Sequence, residues 1–431
     1  MSKSILSNIL LSKRNNRETA EKYIEYKETK DISINDRDTR NIGMKDISMK
    51  KATKVIFMSF IIACSSMLTG CWDSVEINRR HVVLEVAIDK NQEADTENPY
   101  EITYTIPNIA KLTGRNSIAE DIKTSVVTKS KTIGGSIDDV DHRTQNTVSF
   151  AHTKAIVIGR EILEDKALFE GVLDGLIRNM QVARGTMILA VDGKAKDITQ
   201  SSVGQNPMMG LYIMKYFNNP ERPVSYAKQQ SIGNIMKEID NSNITTIPVI
   251  KNKDDKVLIQ GAAVVKDYKL VNWLDKDQVK GELFVEGKVN EAPIIVNYRN
   301  HDLTYNIDSQ NAKINFEPIN GSDSQLEAVI EIEVTGGVVE YSLFEGNTIF
   351  EENSMKEINQ LIQKQIEKEV MQTVDYAKGI NVDFLNIGLQ MYRSKPDIWE
   401  NYKNSWEQEG FKNIPVRVKS EVVINNTGVL K

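Results

Sequence analysis

The chain has 431 residues, with 54 basic against 60 acidic side chains and a formal net charge of −6, a balance that argues against a nucleic-acid binder, which would carry a basic patch or stripe. Two cysteines exclude a disulfide scaffold and a cysteine zinc site, and a mean hydropathy of −0.37 excludes a chain that crosses a membrane many times. With 40% hydrophobic and 26% charged residues the composition is that of a globular protein, long enough for two or three domains at roughly 100–200 residues each.

Residues 1–48 are polar, rich in Lys, Arg, Asp, Glu and Asn, and show no sustained periodicity. Lys50, Lys51 and Lys54 then precede residues 55–68, VIFMSFIIACSSML, of which eleven are apolar and none is charged. A basic stretch followed by an apolar run of about 7–15 residues is the pattern of a secretory signal. The run is too short for a transmembrane helix, which needs about 20 apolar residues. It ends in Leu68-Thr69-Gly70-Cys71, with leucine at −3, small residues at −2 and −1 and cysteine at +1, and so resembles a bacterial lipobox. On that reading cleavage falls between Gly70 and Cys71. The Cys71 sulfur takes a diacylglycerol, the new α-amine is acylated, and each buried CH₂ adds about 0.8 kcal/mol of membrane binding. The alternative is an ordinary signal peptide or signal anchor with an incidental cysteine. Cys64 lies inside the apolar run and leaves with the signal. Met49 is where a lipoprotein leader would begin, so residues 1–48 are expected to reflect an upstream start codon chosen in error; the alternative is a true cytoplasmic tail. Removing residues 1–70 takes away 13 basic and 8 acidic residues and leaves 361 residues with a formal charge of −11. That strengthens the case against nucleic acid and against electrostatic attachment to anionic lipid.

The exported part begins with strand patterns at 82–84 and 86–88, then at 100–106, where Tyr100-Glu101-Ile102-Thr103-Tyr104-Thr105-Ile106 alternates and is rich in β-formers. Another strand contains Val126 and Val127 and stops at Gly134-Gly135. Ser136 is expected to cap a helix over 137–146. The apolar run Ala155-Ile156-Val157-Ile158 reads as a buried strand, residues 161–184 carry one long helical pattern, and 187–191 is a further strand. Residues 71–199 therefore read as an N-terminal α/β domain. Residues 200–256, with Pro207, Pro220, Pro223 and Pro248, read as a connector or small subdomain with helices near 208–217 and 225–239.

Residues 257–431 read as a C-terminal α+β domain. Strands are expected at 257–265, 269–272, 282–287, 292–298, 312–317 and 326–340, with a short helix at 275–281. The clearest helix spans 352–377 and carries Ile358, Leu361, Ile362, Ile366, Val370, Val374 and Ala377 on one face. Helices at 381–393 and after Pro396 and a strand at 416–424 complete the chain. The class is α+β and multi-domain, with mixed sheets packed with helices and a long amphipathic helix on a largely antiparallel C-terminal sheet.

No constellation rises to an active site. His81, His142, His152 and His301 show no metal spacing, and GxSxG, P-loop and GxGxxG motifs are absent. Gly134-Gly135-Ser136 could bind an anion through free N–H groups, but an ordinary helix start is the simpler use. The mature chain has no free thiol if Cys71 is acylated, and no carboxylate pair stands out. The 352–377 helix could bind a partner helix, although packing on its own sheet is preferred. No metal, cofactor or catalytic residue is expected.

Cys71-Trp72-Asp73 with Glu76-Ile77, then Ile88-Asp89-Lys90, then the strand His152-Thr153-Lys154-Ala155-Ile156-Val157-Ile158-Gly159 with Arg178 beyond it, occur in that order. Gly261-Ala262-Ala263-Val264-Val265, Leu270 and Trp273-Leu274 follow, and the chain closes with Asp383, Gly388, Pro396, Trp399, Trp406 and Phe411. Together these resemble the Ger(x)C lipoproteins, the C subunits of nutrient germinant receptors of endospore-forming bacteria, over residues 71–431. Two departures stand out. The family often has a glycine where this chain reads Val86-Ala87, and it usually has two glycines near the end where this chain has Asn386 at the first. Asparagine is the next most tolerant residue for positive φ, so the turn should survive.

The resemblance implies a non-catalytic subunit held by Cys71 on the outer face of the spore inner membrane. Its partners would be a multi-spanning A subunit and a transporter-like B subunit, with nutrient binding placed more naturally on B. Packing is the default role for Trp72, Trp399 and Trp406. The competing classes are a solute-capturing envelope lipoprotein of a transport system, which would show two similar βαβ lobes, and an envelope hydrolase, which would need a catalytic constellation.

Overall fold

The computed structural model describes residues 80–426, except 94–96, 109–121, 180, 202–207, 220–224, 254–255, 320–321 and 342–351; before residue 80 it describes only Met58. The polar tail, Gly70, Cys71, Trp72, Asp73 and the rest of the signal segment lie outside the described residues. The strands and helices from residue 80 onward all belong to the unit Val75–Lys431.

Ten strands build its first half: β1 (Arg80–Val82), β2 (Glu85–Lys90), β3 (Tyr100–Pro107), β4 (Lys123–Ser130), β5 (Thr147–Ser149), β6 (Ala155–Gly159), β7 (Met187–Val191), β8 (Ile244–Lys253), β9 (Lys256–Lys266) and β10 (Lys269–Leu274). Eight form one sheet in the order β10-β9-β8-β7-β6-β2-β3-β4, while β1 and β5 pair separately in parallel. The β2-β6-β7 centre is parallel and the flanks are antiparallel. Strands β6 and β7 are continuous apolar runs because both their faces are covered. One face carries Ile88, Ile156 and Ile188 against α1 (Ile133–His142), α3 (Lys166–Arg178) and α6 (Ile232–Ser242). The other carries Ala87, Val157 and Leu189 against α4 (Ala195–Gln200) and α5 (Met209–Asn218).

Local chemistry corrects three expectations in this half. Helix α1 starts earlier than expected: Thr132, not Ser136, is its cap, accepting from Gly135 N at 3.1 Å. Ser136 is buried inside the helix, its hydroxyl 2.6 Å from Tyr104 Oη and 2.5 Å from Thr128 Oγ1. The single helical pattern at 161–184 is two helices, α2 (Arg160–Glu164) and α3. Asp165 breaks it by turning extended and capping α3 through Leu168 N at 3.3 Å. Residues 244–253, read as connector, form β8. Pro248 masked the strand, since proline cannot donate to a ladder. Here it sits at an irregularity, with the register to β9 slipping between Pro248 and Ile250 and a lone pairing, Ala190 with Val249, toward β7.

The second half contains α7 (Lys276–Val285), β11 (Pro293–Tyr298), β12 (His301–Ile319), β13 (Ser322–Tyr341), α8 (Glu352–Gly379), α9 (Ile387–Ser394), α10 (Pro396–Tyr402) and β14 (Val416–Asn426). The sheet runs β11-β12-β13-β14, antiparallel except for the parallel β13–β14 pair. Helix α8 lays Ile358, Ile362, Ile366, Val370, Val374 and Ala377 on it, all fully buried. The strand expected at 282–287 is instead the end of α7. A capping box at Asp275 and Gln278 starts that helix, and burial on every side from Val279 to Val285 removes the amphipathic period that would have shown it. No helix among the described residues is long and apolar enough to cross a membrane.

The sheet also continues across the position where the sequence suggests a boundary, between residues 256 and 257. Strand β9 serves both halves: Ala263 and Val265 enter the core of the first, Ala262 and Val264 that of the second.

Candidate functional site

Two polar arrangements lie where the halves meet. The first surrounds Lys228, which precedes α6 and is almost wholly buried. Its Nζ lies 3.1 Å from Glu282 Oε1 and 2.6 Å from Glu286 Oε1, both on or just after α7, and 3.0 Å from Glu238 Oε1 of α6. Thr246 Oγ1 of β8 donates to Glu282 Oε1 at 2.5 Å, and Gln230 Nε2 donates to Glu238 Oε2 at 2.7 Å and to the Thr246 carbonyl at 3.0 Å. Burial pushes the Glu282 carboxyl up, against the pull of Lys228. Burial also disfavours charge on Lys228, but Glu282, Glu286 and Glu238 outweigh it and hold the ammonium well above the ordinary lysine range. For Glu286 burial is outweighed by Lys228 and Lys288, which lower its pKa. Three carboxylates thus share one buried cation, with Lys288 adding a second from the surface at 2.8 Å from Glu286.

The second arrangement is a cleft of about 350 Å³. One wall comes from the end of α6 and the adjoining strands, with Asn241, Ser242, Asn243, Ile244 and Lys266. The other comes from the C-terminal helices, where Asp383, Gly388, Trp399, Trp406 and Phe411 meet. Asp383 is buried and accepts from Ile387 N at 2.9 Å, Gly388 N at 2.7 Å and Trp406 Nε1 at 3.1 Å. It thereby takes over the capping of α9 that Asn386, left-handed at φ 58, does not provide. Burial pushes the Asp383 carboxyl up to about 6, although those three donors pull the other way. Trp406 stands edge-on to Trp399 at 5.4 Å and tilted to Phe411 at 5.9 Å. A Cβ on Gly388 would lie 2.6 Å from Trp406 Cε2, so glycine is what lets the indole approach α9. Lys266 and Glu407 close an ion pair from one half to the other at 3.1 Å.

A third polar group sits in the first sheet. Glu85 of β2 is fully buried, its Oε2 accepting from Gly210 N of α5 and its Oε1 without a hydrogen-bond partner. Burial raises its pKa to about 7.

The histidines occupy separate elements. His81 is in β1, His142 donates from Nδ1 to the Asp138 carbonyl at 2.7 Å, His152 is exposed in a turn, and His301 opens β12 edge-on to Tyr341. Among the described residues no group of three or more His, Cys, Asp or Glu could hold a metal ion. Gly134 and Gly135 lie inside the first turn of α1, the ordinary helix start. Gly70 and Cys71, the lipidation and cleavage residues, fall outside the described residues. Sequence reading brought out Asp383, Gly388, Trp399, Trp406 and Phe411 without their geometry. It missed Lys228, Glu238, Glu282 and Glu286, whose only signal was charge embedded in otherwise apolar stretches such as Gly281-Glu282-Leu283-Phe284-Val285.

The chain has two α+β halves on a shared strand, with an aromatic and carboxylate cluster at the C-terminal end. Two family models match it: "Spore germination protein N-terminal domain" over residues 73–252 and "Spore germination B3/ GerAC like, C-terminal" over residues 260–428. Similar proteins of Bacillus subtilis (strain 168) include spore germination protein KC, 23% identical over 84% of this chain and 93% of that protein, and spore germination protein A3, 20% identical over 85% and 96%. The putative spore germination protein YfkR is 26% identical over 89% of this chain and 98% of its own. The crystal structure of the GerBC protein shares the fold with a TM-score of 0.53 and 20% identity, covering 79% of this chain and 97% of that one. The chain belongs to the Ger(x)C family of spore germination proteins.

Proposed function

We propose that the chain is the lipid-anchored C subunit of a nutrient germinant receptor. It acts through assembly and signalling rather than catalysis, on the outer face of the spore inner membrane beside an A and a B membrane subunit. The observation that carries this reading is the fit between the leader and the family match: the two matched regions begin at residue 73, two positions after the lipobox cysteine, and end at residue 428. Cys71 carries the diacylglycerol and an N-acyl group, Gly70 precedes the cleaved bond, and translation of the leader starts at Met49. The architecture agrees with an assembly role, since the two halves are packed on one shared strand as a single unit.

The test is Cys71→Ala in spores, with palmitate labelling, nutrient-triggered germination, and recovery of the A and B subunits from detergent-solubilised inner membrane. Loss of label, an unprocessed or unanchored precursor, and impaired germination are expected. A variant that still takes up palmitate overturns the anchor. A wild-type chain that recovers no A or B subunit overturns the receptor reading and leaves the solute-capturing lipoprotein in its place.

A further inference from the structure

The polar groups around Lys228 are short of hydrogens. Its ammonium has three N–H bonds, and each already has a carboxylate oxygen: Glu282 Oε1 at 3.1 Å, Glu286 Oε1 at 2.6 Å and Glu238 Oε1 at 3.0 Å. The single hydroxyl hydrogen of Thr246 goes to the same Glu282 Oε1 at 2.5 Å, and that of Thr245 to Glu238 Oε2 at 2.6 Å. Gln230 gives its amide hydrogens to Glu238 Oε2 and the Thr246 carbonyl. Two acceptors remain, Glu282 Oε2 and Gln230 Oε1, both sealed from solvent and neither with a hydrogen-bond partner. Turning the Gln230 amide over would set its oxygen against Glu238 Oε2 and the Thr246 carbonyl, so that side chain cannot make up the shortage. Glu282 is 0% exposed, and an ionised carboxylate whose oxygen has neither water nor donor is costly to bury.

The charges are out of balance in the same direction. Glu238, Glu282 and Glu286 face two cations, Lys228 within the cluster and Lys288 at 2.8 Å from Glu286 Oε2. Strand β8 adds only the hydroxyls of Thr245 and Thr246, and Lys280, also on α7, is taken up by Glu369 of α8 at 2.9 Å. With every acid ionised the cluster carries one negative charge too many, and a single proton makes it neutral. Burial opposes charge on Glu282 and outweighs Lys228, with Glu286 adding repulsion, so its pKa stands above the ordinary carboxylate value.

We propose that Glu282 holds a proton on Oε2 where the two halves meet, and that release of this proton as pH rises loosens α7 from α6 and β8. The proton removes the surplus charge and turns an unpartnered acceptor into a donor. On release it passes to solvent and leaves a carboxylate, while Lys228 stays an ammonium, held so by its three acids. An acid whose pKa is raised by folding contributes stability that is present below its ordinary value and lost as pH rises through the raised one. The loss falls on the contact between halves, because Glu282 belongs to α7 whereas Lys228, Glu238 and Thr246 belong to the first half. The inference concerns the isolated chain and does not depend on the receptor reading.

Glu282→Gln is the test variant, since the amide has the outline of the neutral acid and carries no charge at any pH. The full chain, purified in detergent, is followed from about pH 5 to about pH 9 by infrared spectroscopy and by hydrogen exchange of the α7 backbone, corrected for the exchange of free amides. At the acid end the wild type is expected to show a protonated-carboxyl C=O band that Glu282→Gln lacks. As pH rises that band disappears and α7 protection falls at least about tenfold, whereas protection in Glu282→Gln stays level. Glu286→Gln removes the repelling carboxylate and is expected to move both changes to lower pH by about one unit, a measurement that stands even if Glu282→Gln does not fold. Identical carboxyl bands in the wild type and Glu282→Gln overturn the proposal, because Glu282 is then ionised throughout. So does α7 protection in the wild type that ignores pH, or a pH profile that Glu286→Gln leaves in place.

Discussion

Lys228 Nζ and Glu282 Oε1 lie 3.1 Å apart in the protein interior, one from each half of the molecule. A buried pair of this kind adds little over an apolar one, because desolvation cancels most of the attraction. Its consequence shows when one partner goes. Lys228→Met leaves three carboxylates facing each other without their shared cation and should cost about 3–5 kcal/mol. Lys228→Met with Glu282→Met should recover a large part of that loss. Urea unfolding of the four members of the cycle measures both, and additive losses would contradict the arrangement.

Glu85 makes stability depend on pH. Its folded pKa of about 7 stands above the ordinary 4.5. Between those values the folded chain holds a proton that the unfolded chain has released, so stability falls as pH rises from about 4.5 to about 7 and levels off beyond. A separation of that size is worth about 3 kcal/mol. With Glu85→Gln the unfolding free energy from urea titrations should fall by about 3 kcal/mol less between pH 4.5 and 7 than in the wild type, and an unchanged pH dependence would refute the assignment.

Gly388→Ala should loosen the C-terminal cluster. The added methyl meets the Trp406 ring, which must withdraw from Asp383, at a cost of about 1–3 kcal/mol. A lower melting temperature with red-shifted tryptophan emission is expected.

Asn386 separates backbone need from side-chain need. Its φ of 58 suits glycine as well as asparagine, and its side chain caps nothing. Asn386→Gly should change stability by less than about 1 kcal/mol, whereas Asn386→Val should cost about 1–2 kcal/mol. Chemical denaturation distinguishes the two.

The readable parts of the sequence were those with an unbroken period. Ala155 to Ile158 and Met187 to Val191 announced central strands, and the row from Ile358 to Ala377 announced α8. Asn386 was readable through its tolerance of positive φ. Where two signals compete, reading fails for a physical reason. Pro248 argues against a strand until a register slip accommodates it, and α7 loses its period because neighbours cover it on all sides. The Lys228 network was illegible because Lys228 and Glu282 are 54 residues apart and meet only once β8 and α7 are in place. Asp383 and Trp406 were singled out by resemblance, and their hydrogen bond needed coordinates.

Strand β9 gives its odd and even residues to different cores, Ala263 and Val265 to one, Ala262 and Val264 to the other. A single inserted or deleted residue there would exchange the two sets at a stroke, since side chains alternate with a period of two. Neither half could repair the error alone. A cut at residue 256 would likewise leave β8 with a bare apolar edge, open to pairing with another chain. The two halves therefore depend on one strand, and a change of length within β9 is felt by both cores at once.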